Sequence, residues 1–216
     1  MSEEFADAAV KRRVVRSTPR FTGHVWSVRT DLVQLGDSDG DEQVERDVLT
    51  HPGAVGIIAV DEQLRVLFVR QYRHPVGALL WEPPAGLLDV DGEDPLDAAA
   101  RELFEEAGYR ARTWSVLVDA FSSPGGSDEA VRIYLARDLT EVDGDERHVG
   151  EGEERDMPTR WLPLHEARDA VLSGRLHNPL AVMGILSAAH VLLGDSPVAP
   201  PRPARAPWLR SNSRLR

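Results

Sequence analysis

Apolar and polar positions alternate along HVWSVRTDLVQL, within the stretch from Thr22 to Leu35, the period-two signature of a half-buried strand. The turn-forming GDSDGDE and a second alternating run, QVERDVLTH, complete an antiparallel β-hairpin. Two further strand-like runs, AVGIIAV and LRVLFVRQYR, are separated by DEQ and predict a second hairpin. LLWEPPAGLLDVDGEDP reads as a loop, because Pro83 and Pro84 forbid helix while Gly86 and Gly92 permit tight turns. After a helix come the strands TWSVLVDAF and AVRIYLARDL, joined by SSPGGSDE, then the acidic loop EVDGDERHVGEGEERD and a short strand, TRWLPL. HEARDAVLSG and the strongly apolar NPLAVMGILSAAHVLLG read as helices. The polar, basic first 20 residues are expected to fray, and the Pro/Arg-rich stretch from Asp195 onward to be disordered. Many strands and few helices, not in strict alternation, predict an α/β (α+β) fold with a mixed sheet flanked by helices.

Composition narrows the chemistry. The chain has no cysteine, which excludes disulfides, thiolate catalysis and zinc-thiolate sites. A formal net charge of -11 argues against nucleic acid or an anionic membrane surface as partner. The apolar runs are shorter than a membrane span and the N-terminal stretch lacks the apolar core of a secretory signal, so a cytoplasmic location is expected.

Asp94, Pro95 and Gly108 bracket a helix: an N-cap acceptor, a proline at the first helical position and a left-handed stop. Leu96, Ala99, Ala100, Leu103 and Ala107 recur at the spacing of a buried stripe. On this helix Glu102 and Glu106 lie one turn apart with Glu105 beside them, and Arg101 reaches only part of the cluster. Two readings compete: a solvated acidic face, or a cage of hard oxygen ligands for divalent cations.

The longer segment GLLDVDGEDPLDAAARELFEEAGY resembles the Nudix box, through Glu93, Arg101, Glu102, Leu103, Glu105, Glu106, Gly108 and Tyr109. One departure stands out: Gly86 precedes Glu93 by one residue more than the box allows, an insertion in the loop ahead of the helix. The resemblance implies the Nudix α/β/α sandwich around a mixed sheet, and a hydrolase acting on nucleoside diphosphates linked to another moiety. It further implies Mg2+ or Mn2+ held by Glu102, Glu106 and Glu105 with the Ala85 carbonyl, and an ion pair between Glu93 and Arg101. A general base is implied in the acidic loop, at Glu153 with Glu154 as the alternative.

Pro124 follows Gly108 at a spacing similar to that of the ADP-ribose pyrophosphatase subfamily. That resemblance implies a substrate loop in which Ser123, Pro124 and Gly125 line the pocket and Glu129 contacts the ligand. It also implies that Arg73 reaches the phosphates, that Leu87 walls the pocket, and that Trp26 could stack on adenine. The corresponding expectation is hydrolysis of ADP-ribose to AMP and ribose 5-phosphate. A Nudix enzyme for another nucleotide sugar or dinucleotide, and a non-catalytic ADP-ribose-binding regulator, are the rivals. The organisation expected is a dimerising, exchanged N-terminal β extension over 1–51, a hydrolase domain over 52–194, a disordered tail over 195–216, and a homodimer.

Overall fold

The computed structural model describes residues 5–36, 38, 40–142, 157–194 and 199–210. The chain divides into two units, one of Met1–Pro52, Phe121–Ala130 and Pro207–Arg216, the other of Gly53–Ala120 and Val131–Ala206.

The first unit is built on an antiparallel sheet of three strands in the order β1 (Val14–Thr22), β2 (Ser27–Gln34) and β3 (Gln43–Thr50). The expected hairpin is β2–β3, and β1 adds a strand where fraying was expected. Its side chains are mostly exposed, so apolar periodicity could not announce it; polar cross-strand pairs and the ladder hold it instead. Ser17 donates to Asp31 at 2.6 Å and Arg20 to Thr30 at 2.9 Å. Burial pushes the Asp31 carboxyl pKa up, but the Ser17 hydroxyl and the Arg29 guanidinium outweigh it and leave the pKa below the usual range.

The second unit contains β4 (Ala54–Ala59), β5 (Arg65–Arg73), β6 (Ala78–Glu82), β7 (Ala85–Leu87), α1 (Pro95–Ala107), most of β8 (Tyr109–Phe121) and β9 (Ala130–Glu141), β10 (Thr159–Pro163), α2 (Leu164–Leu172), α3 (Pro179–Leu193) and β11 (Arg202–Pro203). A mixed sheet runs β11-β8-β9-β4-β7, with β4 parallel to β9 and antiparallel to β7. A second sheet runs β10-β5-β6. Successive residues of β4 point to opposite faces: Val55, Ile57 and Ala59 join the core under α1, while Ile58 joins the core under α2 and α3. Gly184 of α3 lets that helix press onto β4, since a Cβ there would fall 2.6 Å from Ile58 Cδ1. The result is the expected α/β/α arrangement.

Three sequence expectations are corrected. β4 and β5 do not pair along their length but belong to different sheets; the turn between them is closed by an antiparallel bridge between Val60 and Val66 and by the Asp61 amide donating to the Arg65 carbonyl at 3.1 Å. The LLWEPPAGL segment is not all loop; β6 and β7 flank the paired prolines, each on a sheet edge. Part of the tail is ordered: β11 pairs with β8, Arg202 opposite Val116 and Pro203 opposite Ser115. Buried Arg132 supplies the reason, donating to the Ala206 carbonyl at 2.9 Å while gripping Asp119.

Candidate active site

α1 starts and stops as its sequence dictates. The Asp94 side chain accepts from the Leu96 amide at 2.9 Å, Pro95 occupies the first turn, and Gly108 closes the helix at a φ of 71°. Ala98, Ala99, Leu103 and Ala107 bury one face, which fixes the rotation of the helix and turns Glu102, Glu105 and Glu106 toward its half-buried flank.

Those carboxylates are not fanned into solvent. Arg101 Nη1 donates to Glu102 Oε1 at 2.7 Å and to Glu105 Oε2 at 3.0 Å. Its Nε and Nη2 hold Glu93 through two bonds of 3.0 Å, the expected ion pair between the loop and the helix. Glu106 Oε2 accepts from the Ala85 amide at 2.9 Å, which ties the helix to β7. Gly86 completes the cradle: a Cβ there would lie 2.0 Å from Glu102 Oε1, so only glycine lets the strand come this close.

The electrostatics follow from Arg101 set among several acids. The Glu93 carboxylate, with Glu102 and Glu105 behind it, raises the guanidinium pKa of Arg101 despite partial burial. Arg101 in turn holds the Glu93 carboxyl below its ordinary range. Among the described residues no three acidic or histidine side chains are arranged to hold one ion. What fits a hard divalent cation is the chemistry of the donors, the carboxylate oxygens of Glu102, Glu105 and Glu106, which here accept from Arg101 and the Ala85 amide.

Arg73, at the end of β5, carries a partner that sequence reasoning missed. Its Nε and Nη2 clasp the Glu82 carboxylate at 2.5 to 3.1 Å, and Glu82 is only 1% exposed. An acid inside the otherwise apolar LLWEPP was the available signal. The Arg73 side chain remains 41% exposed, so it is aimed rather than buried. Leu87 is half-buried in β7, opposite Ala54.

The remaining described candidates belong to the first unit. Ser123, Pro124 and Gly125 are exposed in a tight turn, in which the Ser123 carbonyl accepts from the Gly126 and Ser127 amides at 3.0 and 2.9 Å. Glu129 meets His51 at 3.4 Å. Trp26 packs against Phe21, ring centroids 5.6 Å apart, and keeps an exposed face. Glu153 and Glu154 lie outside the described residues. Among the described residues no helix is long and apolar enough to cross a membrane.

Comparison with known proteins follows the same lines. Residues 50–181 match the NUDIX domain model. The chain is 45% identical over 195 residues to an ADP-ribose pyrophosphatase of Mycobacterium tuberculosis, covering 90% of each chain. It is 31% identical over 175 residues to a methanol dehydrogenase activator of Bacillus methanolicus, covering 81% of this chain and 91% of the relative. A crystal structure of an ADP compounds hydrolase superposes with a TM-score of 0.68 at 21% identity, covering 89% of this chain and all of that one, and so supports the fold.

Proposed function

The chain belongs to the NUDIX family, and from that premise we propose that it hydrolyses the pyrophosphate of ADP-ribose to AMP and ribose 5-phosphate, supported by Mg2+ or Mn2+. The observation that carries this reading is 45% identity, over 90% of both chains, to an enzyme named for that substrate. The intact acid set on α1 favours a hydrolase over a binding module that has lost its chemistry.

Glu102, Glu105 and Glu106, with the Ala85 carbonyl, would hold the divalent metal that enzymes of this family require. When bound, such ions neutralise diphosphate charge and acidify the attacking water. Arg73, aimed by Glu82, reaches the substrate phosphates. Arg101 ties the loop at Glu93 to the helix, so the acids keep a common orientation. Glu153 takes the proton from the attacking water, with Glu154 as alternative. Substrate contacts are assigned to Leu87 in the second unit and, separately, to Trp26, Ser123, Pro124, Gly125 and Glu129 in the first. The N-terminal β extension over 1–51 dimerises and is exchanged between copies, while 52–194 carry the chemistry. Exposed Val14, Val15, Phe21, Val25 and Trp26 favour a partner surface there. The acidic balance disfavours nucleic acid as a partner, and a cytoplasmic location is part of the same proposal.

Incubating the protein with ADP-ribose and Mg2+ in 18O-labelled water tests the reaction: labelled AMP or ribose 5-phosphate is expected, and intact substrate would refute it. The chain is also 31% identical over 161 residues to a GDP-mannose pyrophosphatase of Yersinia pestis, so a panel including nucleotide sugars and dinucleotides decides the substrate. For Glu153→Gln, lost turnover with retained ADP-ribose affinity is expected; inactivity of Glu154→Gln alone moves the base by one residue. Light scattering at micromolar concentration should give a dimer, and a monomer would remove that part of the reading.

A further inference from the structure

We propose that the C-terminal segment 199–206 is a strap that sets the start of α1 through Arg205, and so positions the acid cluster farther along the same helix. Arg205 Nη1 meets Asp94 at 2.5 Å and Nη2 donates to Asp97 at 3.0 Å. Asp94 is the N-cap, the residue whose side chain receives the Leu96 amide and whose carbonyl receives the Ala98 amide. The strap therefore grips the group that decides where the helix begins.

An exposed ion pair alone would contribute little, because ordering two long side chains offsets the attraction. Here that ordering is supplied by neighbours. β11 joins the sheet at Val116 and Ser115, and Arg202 bonds Asp119 at 2.9 Å. Ala204, like Leu96, packs against the core cluster that includes Ala98 and Ala99 of α1. The Ala206 carbonyl is fixed by Arg132, itself 3% exposed and paired to Asp119 at 2.8 and 2.9 Å. Arg205 is thus held between two anchored neighbours. It also bridges two acids one turn apart, which would otherwise repel.

The need for a strap is visible in the chain. The loop from Gly86 to Glu93 is one residue longer than the Nudix box pattern, and a longer loop specifies the helix start less tightly. The Glu93–Arg101 pair ties the end of that loop to α1, and Arg205 holds the N-cap that follows it. α1 runs without a break from Pro95 to Ala107, so a displacement of its start is passed along the helix toward Glu102 and Glu106. Arg205 acts through Asp94 and is a positioning residue.

The inference rests on the metal role proposed above for the acids, and its test separates the two. In the metal-free protein, Arg205→Ala should speed hydrogen exchange at the Leu96 and Ala98 amides. It should weaken Mn2+ binding, followed by the electron paramagnetic resonance of free Mn2+, by about three-fold, the scale of a modest surface pair. kcat at saturating Mn2+ and the melting temperature should stay near the parent's. Arg205→Lys should restore part of the affinity, and Arg205→Glu combined with Asp97→Arg more than Arg205→Glu alone. Unchanged exchange, or faster exchange with unchanged Mn2+ affinity, would overturn the strap. Failure of the parent protein to bind Mn2+ would instead overturn the proposed function.

Discussion

The two ends of α1 carry acids in similar density and treat them differently. At the start, Asp94 and Asp97 share Arg205, and the charges sit at the water boundary. At the other end Glu102, Glu105 and Glu106, with Glu93 folded over them, have Arg101 and the Ala85 amide, pressed against the Gly86 backbone. The first arrangement spends its negative charge on holding a helix in place. The second gathers the carboxylates of Glu93, Glu102 and Glu105 around Arg101 in a half-buried position, the donor type that the proposed divalent cation would use. Local geometry, not the number of acids, separates the cluster that holds the helix start from the one proposed to hold metal.

The largest break in that contrast is Glu106→Gln, which keeps the bond from the Ala85 amide but removes the charge. The loss in kcat with Mg2+ should reach at least about 10^3-fold, the scale of several kcal/mol of electrostatic stabilisation, with the melting temperature little changed. Steady-state kinetics beside a thermal melt checks both halves. Gly86→Ala should come next. The new Cβ would displace the Glu102 carboxylate, a flexible side-chain end, so turnover should fall by about 10^2-fold while stability drops by about 1 kcal/mol. A matching loss in both would mean that β7 moves rather than the acid.

At the helix start, Asp94→Ala should cost about 1 kcal/mol of stability through the lost cap, read by denaturant titration. The smallest effect belongs to Glu93→Gln and depends on pH. Because Arg101 holds the folded-state pKa of Glu93 below its ordinary 4.5, the pair's contribution is present above that pH and is lost as pH falls through the depressed value. Melting temperatures of parent and variant should differ by a constant amount at neutral pH and converge below about pH 4.5. Parallel curves down to the acid limit would remove Glu93 as the titrating partner.

α1 was legible because the signals that build it are local: the Asp94 cap, Pro95, the Gly108 stop and an apolar stripe in which Ala98 is buried in place of the expected Ala100, which is exposed. The same holds for Arg101, whose reach to Glu105 follows from helical spacing. β4 and β5 were assigned correctly as strands and wrongly as partners, because an apolar run looks alike whichever sheet it enters. β1 escaped notice because Ser17 and Arg20 stabilise it by polar bonds to another strand. The tail was misjudged for a related reason: its composition is that of a linker, and its order comes from Arg132 and Asp119, far away in sequence. Glu82 was passed over because its partner Arg73 lies on the strand before it.

Pro203 has a last consequence, for self-association. β11 is the outermost strand of the five-stranded sheet, and proline has no N–H to offer a further strand. β8 is 13 residues long, and β11 covers its middle, at Ser115 and Val116. A long edge of this kind is a template for another chain's backbone. This two-residue strand ending in proline covers the middle of that edge, and a protein shortened before Arg202 should aggregate more readily with concentration than the full chain.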